Sequence, residues 1–139
     1  KKWVVFLILS VGFCITSVSC IKESSTFHWS VMVTNKTESA VYWAFAWTPN
    51  WDLEVPYYGY IEPDFKILPN ETKKISILYG ANSIEGSVGK GKMKVFFLDA
   101  DILDKLPVGR VPIESVLGSR IYTLEEIRAI NFHFCFPFE

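Results

Sequence analysis

The feature that most limits what this chain can become is a series of short apolar runs, each closed by turn-forming residues. The clearest are Val41 to Trp47 (VYWAFAW) and Lys92 to Leu98 (KMKVFFL), rich in aromatic and β-branched residues. Runs of that length and composition suit strands better than helices. Phe27 to Thr34 (FHWSVMVT) and Lys73 to Tyr79 (KKISILY) alternate apolar with polar positions, as half-buried strands do. Phe65 to Leu68 predicts a short edge strand and Ser119 to Tyr122 another short strand. Asn131 to Phe136 predicts a closing strand, stopped by Pro137. Within Val41 to Trp47, the odd-numbered Val41, Trp43, Phe45 and Trp47 share one face; Tyr42, Ala44 and Ala46 share the other. The short polar link Asn35 to Glu38 predicts that the first two strands form an antiparallel hairpin.

Helical signals are fewer. Asp99 is placed to cap a short segment from Ala100 to Leu106, which Pro107 stops. Pro112 suits the start of a helical turn around Ile113 to Leu117. Thr123-Leu124-Glu125-Glu126 has the spacing of a capping box and predicts a helix to about Ile130. Gly80 to Gly91 reads as a flexible connection, and Thr48 to Asp64 as a long loop rich in proline and aromatic residues. Together these elements predict a mainly β domain: an antiparallel β-sandwich, immunoglobulin-like or related, with one or two short helices. The Cys…Trp…Cys pattern of true immunoglobulin domains is not present.

The first residues, KKWVVFLILSVGFCITSVSC, carry two lysines, an apolar stretch and then small polar residues. This is the three-part pattern of an export signal. Ser17-Val18-Ser19-Cys20 resembles a bacterial lipobox, which implies a diacylglyceride on Cys20. The expected organisation is a signal peptide over 1–19, a lipidated tether over 20–26 and one domain over 27–139. Ordinary signal-peptidase cleavage near Ser19 is the alternative. Lys22-Glu23 resembles a charged surface-export signal, so the expected location is the outer membrane or cell surface. Loss of Lys1 and Lys2 with the leader takes 14 basic residues to 12 against 15 acidic ones, moving the formal charge from -1 to -3. That balance argues against nucleic acid as a partner. Cys14 leaves with the leader and Cys20 is acylated, which leaves Cys135 alone and expected as a buried, inert thiol.

Two longer stretches, KVFFLDADIL (residues 94–103) and RIYTLEEIRAINFHFCFP (residues 120–137), resemble motifs of a family of small Bacteroidota lipoproteins of unknown function. Arg120, Tyr122, Thr123, Leu124, Asn131 and Pro137 match; Phe132 stands where a Trp is usual and Phe136 where a Tyr is usual. TNKTESAVYW, residues 34–43, fits the family's N-terminal strand-turn-strand. The resemblance implies an exported lipoprotein domain and brings no catalytic residues with it.

Several clusters invite chemistry. Trp51, Tyr57, Tyr58 and Tyr60 lie in the aromatic loop, where flat rings can stack on sugars or anchor a protein partner. Trp43 and Trp47 are expected in the core. Asp99, Asp101 and Asp104 have alternating oxygen donors, yet they fail the EF-hand spacing and fit a helix cap better. His133 and Cys135 would share a strand face without the rest of a catalytic set. Glu62 and Asp64 form a carboxylate pair of a kind found in most chains. Lys90, Lys92 and Lys94 suit a solvated strand face, and the sequons at Asn35 and Asn70 suit turns. No cofactor or metal is expected. The reading is a non-catalytic binding or structural module anchored through Cys20, with a possible protein or glycan partner. The alternative is a carbohydrate-binding module using Trp51, Tyr57 and Tyr58.

Overall fold

The computed structural model describes residues 27–47, 52–56, 62–77, 83–107 and 111–139. Its strands are β1 (Ser30–Asn35), β2 (Val41–Trp47), β3 (Lys66–Ile67), β4 (Thr72–Ser76), β5 (Lys92–Asp99), β6 (Val116–Thr123) and β7 (His133–Phe136). Among the described residues, three short helices join them: α1 (Ile84–Val88), α2 (Ala100–Leu103) and α3 (Leu124–Ala129). Single 3-10 turns at Pro63–Phe65 and Ile113–Ser115 lead into β3 and β6.

The strands form two sheets, one ordered β4-β1-β7 and the other β3-β2-β5-β6. The expected sandwich is therefore present, with antiparallel pairing everywhere except between β1 and β7, which run parallel. The predicted hairpin between the first two strands is not formed. β1 and β2 lie in different sheets, because both edges of β1 are taken by β4 and β7. Asn35 explains the turn that separates them. Its buried side chain donates to the carbonyls of Ser39, Ile67 and Leu68, and its Oδ1 accepts from the backbone and hydroxyl of Thr37. The polar link thus carries the chain from one layer to the other, pinned to the β3 end of the opposite sheet. Burial with every polar atom engaged also explains why the Asn35 sequon is a structural turn.

The core lies between the sheets. Val31, Val33, Ile75 and Phe134 face Val41, Trp43, Met93, Val95 and Phe97, all buried. Aromatic pairs tie the layers together: Trp43 to Phe134 at 5.8 Å, Tyr122 to Phe134 at 5.3 Å and Phe97 to Phe136 at 4.8 Å between ring centroids. Such tilted and offset contacts add to the burial of the rings themselves. Trp47 is half-buried and packs against the same core.

The helices follow local chemistry. Asp99 caps α2 by accepting from the amides of Asp101 and Ile102, and Thr123 with Glu126 closes the capping box of α3, both as the sequence predicts. The stretch read as a flexible connection instead contains α1. Ser83 caps it by accepting from the Gly86 amide, while Ile84 and Val88, four residues apart, bury the same face. Gly89, at φ 52°, ends it in a conformation that strains other residues.

Candidate functional site

The residues singled out for anchoring and binding, Cys20, Trp51, Tyr57, Tyr58 and Tyr60, lie outside the described residues. What the described residues bring together is a set of polar clusters on the flanks of the sandwich.

The acidic trio separates. Asp99 is committed to its cap, and Asp101 sits in the first turn of α2, where the helix dipole favours a negative charge. Asp104 turns to the four-stranded sheet, accepting from the Tyr42 hydroxyl at 2.8 Å and pairing with Lys66. Burial, and then the hydrogen bond to Asp104, push the Tyr42 phenol up to about 12. The Lys66 and Tyr42 hydrogen bonds hold the Asp104 carboxyl below its ordinary value. This cluster ties α2 to β2 and β3.

Lys90, Lys92 and Lys94 do not make a strip. Lys90 precedes β5 in a turn, whereas the Lys94 ammonium donates to the Leu53 carbonyl at 2.7 Å and lies 5.1 Å from the centre of the Phe96 ring. Lys94 does not stand on a fully solvated face, because the segment around Leu53 reaches the face of the sheet that it occupies. Glu62 and Asp64 do come together, with Lys73, Lys74, Phe65 and Ser76, around a cleft of about 320 Å³. Lys73 there donates to the Lys66 carbonyl at 3.1 Å.

The outer face of the three-stranded sheet carries a second cluster. Thr34 Oγ1 lies 2.7 Å from both Thr72 Oγ1 and His133 Nε2. Cys135 stands beside them, since β7 pairs in register with Met32 to Asn35. The expected sharing of a face by His133 and Cys135 holds. The expected burial of Cys135 does not: the thiol is free and half-exposed. Its neighbours Phe134 and Phe136 turn toward the core, and the period of two turns Cys135 outward.

One pair was not legible in the sequence. His28, before β1, and Glu85, in the first turn of α1, meet across 57 positions. The buried Glu85 carboxylate engages His28 Nδ1 at 2.6 Å and accepts from the His28 backbone N–H at 2.8 Å. The imidazole stacks on Phe132 at 3.6 Å, and the His28 carbonyl accepts from the Ile84 amide. Burial pushes the Glu85 carboxyl up, but the hydrogen bonds and charge of His28 outweigh it and hold the group below its ordinary value. The geometry fastens the start of the domain to α1. The available signal was Ser83 placed before Ile84 and Val88, which marks a helix start and hence a dipole for Glu85.

No family model, curated protein or solved structure matches this chain.

Proposed function

We propose that this chain is an exported, lipid-anchored module of the cell envelope that binds or scaffolds rather than catalyses, held through Cys20 at the outer membrane or cell surface. The observation that carries the non-catalytic half is how four of the acidic side chains are used. Asp99 and Glu126 cap helices, Asp104 holds Tyr42 and Lys66, and Glu85 holds His28. Each ties one element to another and is occupied in doing so, whereas a general acid or base needs its reacting atom turned toward a substrate. The anchoring half is supported by the basic, apolar and small-residue order of the leader and by Ser17-Val18-Ser19-Cys20. Several acyl chains at that cysteine bind a bilayer far more firmly than one. The Bacteroidota lipoprotein resemblance supports the same reading.

The test is the intact mass of the N-terminal region in protein taken from the membrane fraction, beside a Cys20→Ala variant. The expected result is a mature chain beginning at acylated Cys20, with both the acyl mass and membrane retention lost in the variant. An unmodified chain released into the medium overturns the anchor.

A further inference from the structure

We propose that the end of the sandwich carrying Phe27 and Trp29 rests on the bilayer, with both rings in its interfacial layer. The inference rests on the lipid anchor at Cys20 proposed above and adds the surface by which the domain meets the membrane. Phe27 is 59% exposed, more than any other large apolar side chain among the described residues, and Trp29 is 44% exposed. The other exposed large apolar side chains there are methionine, leucine and isoleucine, so these two are the exposed rings among the Phe, Tyr and Trp described. Tryptophan favours the headgroup level of a membrane, where its ring leaves water and its N–H keeps a polar partner. Phenylalanine is likewise used on the apolar side of interfacial segments.

Position selects a membrane as what meets these rings. Six residues, Ile21 to Thr26, separate Cys20 from Phe27. The chain from Cys20 to Phe27 spans at most about 25 Å at full stretch, less than the roughly 30 Å diameter of a small domain. An acylated Cys20 therefore makes this end of the sandwich its membrane-proximal end. β1 begins here at Ser30 and parallel β7 at His133, while antiparallel β4 finishes here at Ser76. Leu68, 55% exposed, sits at the opposite end, beside Asn35 where β1 finishes. The segment bearing the rings is fastened to the domain. Glu85 holds the His28 ring and backbone, the ring stacks on Phe132, and the Trp29 carbonyl accepts from the Ile77 amide at 2.8 Å. Phe27 and Trp29, on either side of His28, are thus presented from a fixed point, which leaves less to order on contact.

The test uses the full mature chain isolated from the membrane fraction. It is reconstituted into vesicles of phosphatidylethanolamine and phosphatidylglycerol, with or without bromine on the acyl chains. Bromine quenches a tryptophan only on close approach. The parent should be quenched by the brominated lipid, and Trp29→Phe should lose most of that quenching, because Trp43 is buried and Trp47 half-buried in the core. Phe27→Trp on the Trp29→Phe background should restore it, which rules out unfolding as the cause of the loss. An unquenched parent, quenching that survives Trp29→Phe, or a loss that Phe27→Trp does not restore each overturns the contact. The intact mass of the same preparation keeps the two readings apart. An acylated chain without quenching that depends on Trp29 overturns this inference alone, whereas an unacylated chain overturns the anchor and the inference with it.

Discussion

Phe96 and Phe97 are neighbours on β5 that point to opposite faces, and both are fully buried. Met32 and Val33 are neighbours on β1, and there one is exposed while the other is buried. The same two-residue period therefore means different things in the two sheets. The four-stranded sheet has an inner face against the other sheet and an outer face on which Tyr42, Ala44, Ala46, Phe96 and Leu98 are also buried. Polar groups on that outer face are tied down, Tyr42 to Asp104 and Lys94 to the Leu53 carbonyl. The three-stranded sheet leaves its outer face wet, and there Thr34 hydrogen-bonds to both Thr72 and His133. A strand covered on both sides reads as a continuous apolar run, and one covered on a single side alternates.

The largest expected effect tests whether that outer face is a second core. Phe96→Ala should destabilise the protein by about 3–5 kcal/mol, comparable to Phe97→Ala, because each removes a fully buried ring. The readout is the urea midpoint of unfolding. A cost for Phe96 far below that for Phe97 would mean that the outer layer yields easily, and the two sheets would then be alike.

That contrast also explains what could be read in advance. VYWAFAW and KMKVFFL declared strands whatever their cover, and β2 has the predicted limits while β5 ends one residue later, at Asp99. Asp99 and Thr123 announced their helices because capping is a local hydrogen bond between residues two or three apart. The partner of β1 was not legible. A short polar link permits either a hairpin or a crossing between layers, and the choice rests on Asn35 meeting Ile67 and Leu68, more than thirty positions away. His28 and Glu85 were hidden for the same reason, being joined by tertiary packing alone. α1 was missed because Gly86 and Gly89 suggest a loop, while burial of Ile84 and Val88 outweighs the cost of glycine.

The crossing between the layers gives the next effect. Asn35→Ala removes three donated and two accepted hydrogen bonds from a buried position. A loss of about 2–3 kcal/mol is expected, since the Ile67 carbonyl would be left buried without its partner. Chemical denaturation measures it. A loss close to zero would mean that β1 and β2 are kept apart by the sheets themselves and not by the turn.

Glu85 should contribute about 1–2 kcal/mol, and its contribution should depend on pH. His28 lowers its folded-state value, so the stabilisation is present above the ordinary carboxylate range and is lost as pH falls through the lowered value. Asp104, held down by Lys66 and Tyr42, acts in the same direction, so the parent alone cannot isolate Glu85. The gap in unfolding midpoint between the parent and Glu85→Gln does. It should be widest at neutral pH and close progressively below about pH 4.5. A gap that stays constant on acidification would show that the carboxylate's shape matters and its charge does not.

The smallest effect completes the contrast between the sheets. Met32 lies on the wet face, beside Lys74 on β4 and His133 on β7 by register. It shares its strand with buried Val31 and Val33, so sequence distance from the core does not distinguish it from Phe96. Met32→Thr keeps a strand-forming residue and adds a hydroxyl that water can satisfy, and Thr34 already sits on that face. The change should move stability by no more than about 0.5 kcal/mol, as surface substitutions away from special features do. Measured beside Phe96→Ala in the same denaturant series, it sets the wet face against the covered one. A cost for Met32→Thr above about 1 kcal/mol would mean that this face is also covered, and that what covers it contributes to folding.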